Sequence, residues 1–204
     1  MSRDRGTYDK LFVRVRQSVI EASKMFDHNL LVTFHGHQKG HSEMEVRDRL
    51  KDLGAQVERL ETCEVEGVFL LKVAGDPKVM VSQLIRMCHE DPVGFQYSHH
   101  WVPIERWVSS GKEEIRRAAE DLGRGIGENE SWMMHLHKRH FQEHYDDLIA
   151  YLTDPLNRGR VDLTEPDKIL AVEILGQNTG LSLLTRLELL DVNKVRVASG
   201  AGKV

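Results

Sequence analysis

The order of apolar runs and their stops constrains this chain more than any other feature. Between Asn29 and Ile104, short apolar runs alternate with longer amphipathic segments. Runs of about four to eight apolar residues read as buried strands, and longer periodic segments read as helices. NLLVTF (Asn29–Phe34) is such a strand, and HGHQKG (His35–Gly40) follows as a loop. Ser42 with Glu45 three residues later has the form of a capping box. It predicts a helix with Met44, Val46, Leu50 and Leu53 inward and Gly54 as its stop. AQVERLE, with Val57 and Leu60, reads as a strand, Glu66-Gly67 as a turn, and VFLLKV (Val68–Val73) as the next strand. Asp76-Pro77 starts a helix, because Asp caps and Pro suits the first turn. Val79, Leu84, Ile85 and Cys88 form its apolar face, and Asp91-Pro92 stops it. VGFQYSHHWVPI is the last strand of this half. The order β-α-β-β-α-β is the split βαβ, ferredoxin-like unit.

The second half opens with a joint, PIERWVSSGK. Lys112 to Ile126 is an amphipathic helix with Ile115, Ala118, Ala119 and Leu122 on one face. SWMMHLHK is a strand in which Trp132, Met134 and Leu136 alternate with Met133, His135 and His137. Tyr145 to Leu152 is a helix, VDL (Val161–Leu163) a short strand, and KILAVEIL (Lys168–Leu175) a strong one. Gly176-Gln177-Asn178 turns into the partner strand GLSLL. The fold class is therefore α/β (α+β), with domains at 29–104 and 105–197. Residues 1–28 form an N-terminal extension expected to be helical, from the spacing of Leu11, Val15, Val19 and Ala22. Residues 198–204 are small and polar, and are expected to fray.

Charge narrows the function classes. Twenty-eight Lys and Arg against 32 Asp and Glu leave a net charge of −4. The split is −1 for residues 1–103 (14 basic, 15 acidic) and −3 for 104–204 (14 basic, 17 acidic). That excludes coating nucleic acid by bulk charge, but not a local basic edge. Two distant cysteines, Cys63 and Cys88, form no CxxC pair, and two free thiols in a reducing cytoplasm are expected. No apolar run approaches the roughly 20 residues a membrane helix needs. MSRDRGTYDK carries no signal-peptide core, so a cytoplasmic location is expected.

Eleven histidines raise the question of metal. His140, Glu143 and His144 match HxxEH, the pattern of a metal-dependent hydrolase. That chemistry needs both histidines on one helix face and a third acidic ligand, and nothing in the sequence marks Glu173 or Glu188 for it. The pairs His35/His37 and His99/His100 invite a transition-metal site, but neighbouring strand residues point to opposite faces. No cofactor or metal is expected. Gly123-Arg124-Gly125-Ile126-Gly127 follows a helix, whereas a phosphate loop opens one, so it reads as helix termination. Lys138-Arg139-His140, at the end of a strand, could clamp phosphates or stack on bases. Arg106, Lys112, Arg116 and Arg117 could extend that patch, although i,i+4 pairs such as Glu113–Arg117 also explain them.

These stretches carry a resemblance. PIERWV (103–108), HKRH (137–140), VDLTEPDKILAVEILG (161–176) and TGLSLL (179–184) resemble a THUMP domain, the RNA-binding module of tRNA modification enzymes. A preceding ferredoxin-like domain is also what THUMP proteins carry. The resemblance implies a THUMP αβαβββ unit at 105–197 and tRNA binding at the acceptor stem and single-stranded 3′ end. About twenty residues follow Leu184, too few for a separate catalytic domain. The group resembled is thus the stand-alone adaptor that helps a tRNA acetyltransferase form acetylcytidine in the D-arm. By position, Lys138, Arg139 and His140 inherit the RNA contacts, followed by Arg106, Lys112, Arg116, Gly176 and Thr179. Such an adaptor would share RNA affinity with its enzyme through avidity. A pure protein-interaction module without RNA binding is a further alternative.

Overall fold

A computed structural model describes residues 27–204. The expected N-terminal helix lies outside the described residues. The first half runs β1 (Leu30–Phe34), α1 (Lys39–Asp52), β2 (Val57–Thr62), β3 (Val68–Val73), α2 (Pro77–Glu90) and β4 (Ser98–Pro103). Its strands are ordered β4-β1-β3-β2, each pair antiparallel. The central strand β1 is buried at all five positions, which is why it reads as a continuous apolar run rather than an alternation.

The start of α1 departs from the capping-box expectation. The helix begins at Lys39, after a 3-10 turn at Gly36–Gln38. Ser42 sits inside it and donates its hydroxyl to the Gln38 carbonyl at 3.0 Å. Glu45 points inward instead of back to a cap. Its carboxylate accepts the Tyr97 and Ser98 backbone N–H groups, both at 2.9 Å, and the Ser98 hydroxyl at 2.6 Å. It thereby satisfies the loop that leads into β4, a requirement stronger than one helix cap. Met44 and Val79, expected inside, face solvent. The α2 start is as expected: Asp76 accepts the Lys78 N–H at 2.8 Å. Leu30, Val32, Phe69, Leu71 and Trp101 pack with Val46, Leu50, Val81, Leu84 and Cys88 to form the first core.

The second half comprises β5 (Arg106–Ser109), α3 (Lys112–Gly123), β6 (Ser131–Arg139), α4 (Tyr145–Thr153), β7 (Arg160–Val161), β8 (Lys168–Leu175) and β9 (Asn178–Leu184). Strand order is β5-β9-β8-β6-β7. The presumed joint is itself a strand: Arg106 to Ser109 pairs antiparallel with Leu181 to Asn178. The short strand read at 161–163 is instead the two residues Arg160–Val161, which pair parallel with Ser131 and Trp132. Strands β6 and β8 are parallel over eight residue pairs, from Trp132↔Lys168 to Arg139↔Leu175. Ile115, Ala119, Leu148 and Leu152 pack on Trp132, Met134, Leu136, Leu170 and Val172 to make the second core.

After β9 the chain returns to the first sheet. Strand β10 (Leu190–Asp191) pairs with β4, Leu190 opposite Trp101 and Asp191 opposite His100. Helix α5 (Val192–Ala198) follows, and Val192 and Val195 enter the first core. Residues 190–197, expected with the second half, thus complete the first sheet, because β4 otherwise leaves an open edge. The tail expected to fray is also held. The Arg196 guanidinium donates to the carbonyls of Phe95 and Ala201, at 3.0 and 3.1 Å. Val204 packs against the first core.

The two sheets face each other. Leu31, Val68, Leu70 and Val102 of the first meet Ile169, Ala171, Leu175 and Leu184 of the second. Four layers result, with helices outside and a seam between the sheets.

Candidate functional site

Strand alternation divides β6 between two environments. Trp132, Met134 and Leu136 enter the helix-covered core. His135, His137 and Arg139, on the opposite parity, face the seam. The parallel register places His137 directly beside Glu173 of β8. Glu173 is fully buried, and one carboxylate oxygen lies 3.1 Å from His137 Nδ1. Its other oxygen accepts from Arg139 at 3.1 Å. From the first sheet, His100 completes a group of three imidazoles. Ring centroids are 4.4 Å apart for His135–His137, 5.2 Å for His100–His137 and 5.9 Å for His100–His135. Asp191 of β10 stands 3.6 Å from His100 Nε2, and the Thr33 hydroxyl 3.3 Å from its Nδ1.

Burial, reinforced by the neighbouring His137, pushes His135 down to about 4, so its ring is neutral at pH 7. Burial would raise the Glu173 carboxyl. The His137 hydrogen bond and the positive charges nearby outweigh it, and the group is held below its ordinary value. Asp191 follows the same logic: burial opposes ionisation, but the His100 bond and the Lys194 N–H bring it down to about 2.

The strand end is joined to the β8–β9 turn. The Gly176 N–H donates to the Arg139 carbonyl at 2.9 Å. Gly176 holds φ 58, the left-handed conformation that suits glycine, and His140 beside it holds φ 54. His140, Gly176 and Gln177 line one side of a cleft of about 730 Å³, with Glu61, Thr62 and Glu64 opposite. Of the sequence-predicted residues, His140 and Gly176 line this cleft, and Lys138 and Arg139 precede them on opposite faces of β6. Lys138 donates to the Phe141 carbonyl at 3.2 Å. Arg139 is committed to Glu173, which corrects its reading as a free phosphate clamp.

The remaining predicted residues lie elsewhere. Thr179 is fully buried, and its hydroxyl is 2.8 Å from that of Ser110. Arg106 pairs with Asp121 at 3.1 Å. Lys112 and Arg116 lie over the Tyr151 ring at 5.1 and 4.7 Å, paired with Glu143 and Asp154. The HxxEH geometry fails: α4 begins only at Tyr145, His144 precedes it, and Glu143 is held by Lys112. His99 and His100 do point apart, His99 stacking edge-on with His35 at 4.3 Å. Helix α3 ends at Gly123, three residues before the expected Ile126, with Arg124 as a right-handed cap and no left-handed glycine at 123, 125 or 127.

No protein-family model matches the chain, and no curated protein matches it by sequence. Solved structures do. PH1313 from Pyrococcus horikoshii aligns at 17% identity and TM-score 0.56, over 80% of this chain and 55% of that one. TrmN from Thermus thermophilus aligns at 17% identity and TM-score 0.53, over 81% of this chain and 47% of that one. Both carry THUMP domains. The chain has a THUMP-type fold. It spans about half the length of these two proteins.

Within this THUMP-type fold, sequence reasoning missed the seam cluster of His100, His135, His137, Glu173 and Asp191. Two signals were present. His135 and His137 are two apart on a strand and so share a face. Glu173 is a lone charge in the apolar run KILAVEIL, where burial demands partners. Cys63 and Cys88 are both free thiols. No described helix is long and apolar enough to cross a membrane.

Proposed function

We propose that this chain is a non-catalytic RNA-binding adaptor in tRNA modification, acting in the cytoplasm. The observation that carries the reading is the Gly176–Arg139 backbone bond. It sets His140, Gly176 and Gln177 on one wall of a cleft in a THUMP-type fold, next to Lys138 at the strand end. A basic strand end beside exposed backbone turns can bind a phosphate path. The carboxylates of Glu61 and Glu64 opposite can accept hydrogen bonds from base amino groups. That combination suits an unpaired RNA end, whose base edges are open, better than a duplex. The ligand proposed is the tRNA acceptor stem and its single-stranded 3′ end. The assisted enzyme, from the resemblance of PIERWV and HKRH, is a tRNA acetyltransferase making acetylcytidine in the D-arm.

Filter-binding titration tests the class of ligand. Intact tRNA should bind, and tRNA trimmed of its 3′ single strand should bind more than tenfold more weakly. Equal affinity for both would overturn the 3′-end placement. Lys138→Glu with Gln177→Ala should also weaken intact tRNA by about tenfold, which is about 1.4 kcal/mol. Arg139 is left intact in that variant because it partners Glu173. No tRNA binding, alone or with the acetyltransferase, would favour a protein-interaction module.

A further inference from the structure

We propose that His135, His137 and Glu173 form a binding site for one divalent transition-metal ion of the zinc class, in the seam between the two sheets. The three side chains offer ligand atoms that all lie within 4.8 Å of one another. They are the one such group among the described residues. Two imidazoles and a carboxylate are the donor set that zinc and its neighbours take, and they leave one position open.

The distances fit a shared ion. Zinc bonds of about 2.0–2.1 Å in a tetrahedron place neighbouring ligand atoms about 3.3 Å apart. His137 Nδ1 and Glu173 Oε1 are 3.1 Å apart. The same bond lengths put the rings of two coordinated imidazoles roughly 5 Å apart, centroid to centroid. The His135–His137 separation is 4.4 Å. His100, from the first sheet, brings its ring to 5.2 Å from that of His137.

The strongest independent observation is His135 Nε2. It is buried and has no hydrogen-bond partner. Buried polar atoms are nearly always satisfied, and each exception calls for a cause. An ion at this point supplies one. Arg139 on the far oxygen of Glu173 orients the carboxylate so that Oε1 faces the imidazoles. Its positive charge counts against affinity, and Asp191 behind His100 offsets it. The site is distinct from HxxEH and does not rest on the RNA reading.

The test uses the full chain, freed of tags, stripped by chelator and without RNA. Co2+ titration should develop the visible absorption of a tetrahedral ion and saturate at one equivalent per chain. Zn2+ should displace it, with a dissociation constant in the low-micromolar range or tighter. His135→Ala and Glu173→Gln should each weaken binding more than tenfold, whereas His140→Ala with His144→Ala should not. Zn2+ should shift the imidazole NMR signals of His135 and His137 in the wild-type chain, a readout that needs no variant to fold. A wild-type chain that takes up no Co2+ or Zn2+ would overturn the proposal. So would ion binding that leaves those two imidazole signals unmoved.

Discussion

The seam between the sheets has two parts built on opposite principles. In one part Leu31, Leu70, Ile169 and Ala171 meet as apolar surfaces. In the other, His100, His135, His137, Arg139, Glu173 and Asp191 meet as charges and rings. Apolar contact is non-directional and tolerates swaps that conserve volume. A buried polar group is worth little when paired and is costly when its partner is removed. The polar part therefore specifies how the sheets register, while the apolar part supplies much of the attraction.

The largest effect should come from breaking the polar part. Arg139→Ala leaves the fully buried Glu173 with His137 alone, and should cost about 3–4 kcal/mol in urea denaturation. A loss under about 1 kcal/mol would mean that Glu173 has other support. Next, Leu31→Ala, at a fully buried position of the apolar part, should cost about 3 kcal/mol. Leu31→Met should cost less than about 1.5 kcal/mol, which marks the tolerance that the polar part lacks.

The pH response sharpens the same contrast. His135 is held down to about 4 from an ordinary 6.5. Its folded pKa is depressed, so the unfolded chain binds the extra proton between those values. Its stability contribution is present above pH 6.5 and is lost as pH falls towards 4. His99 is also held down to about 4, by burial and then by His35, and adds to the loss. His135→Leu should flatten the slope of stability against pH in that window, by an effect of about 2 kcal/mol. An unchanged slope would remove His135 from the explanation. These two rings stay neutral near pH 6, so neither can strengthen RNA binding by protonation there. The smallest effect belongs to the surface: Arg47→Ala removes an exposed i,i+4 pair with Glu43 and should change stability by less than about 0.5 kcal/mol.

Much of the architecture was legible because strand and helix periods are local. NLLVTF and VFLLKV read as buried strands since both faces of their sheet are covered. The alternation in SWMMHLHK correctly separated Trp132, Met134 and Leu136 from His135 and His137. What failed was long-range. Ser42 and Glu45 match a capping box, but Glu45 is taken by backbone groups of residues 97 and 98. Leu190 and Val192 carry no mark that sends them back to β4. The predicted site was half legible. His140 and Gly176 do line one cleft, because β6 and β8 are neighbours, whereas Lys138 lies on the other face of β6. Thr179 and Arg139 were misread because burial and a partner 34 residues away cannot be seen in spacing.

RNA contact at the strand end and turn is most directly tested by ultraviolet crosslinking of bound tRNA, with the crosslinked peptides mapped by mass spectrometry. Crosslinks should concentrate in residues 138–141 and 175–178, with the RNA partner at the unpaired 3′ nucleotides. Crosslinks confined to the outer faces of α1 and α2, or a tRNA that crosslinks nowhere on the chain, would contradict it.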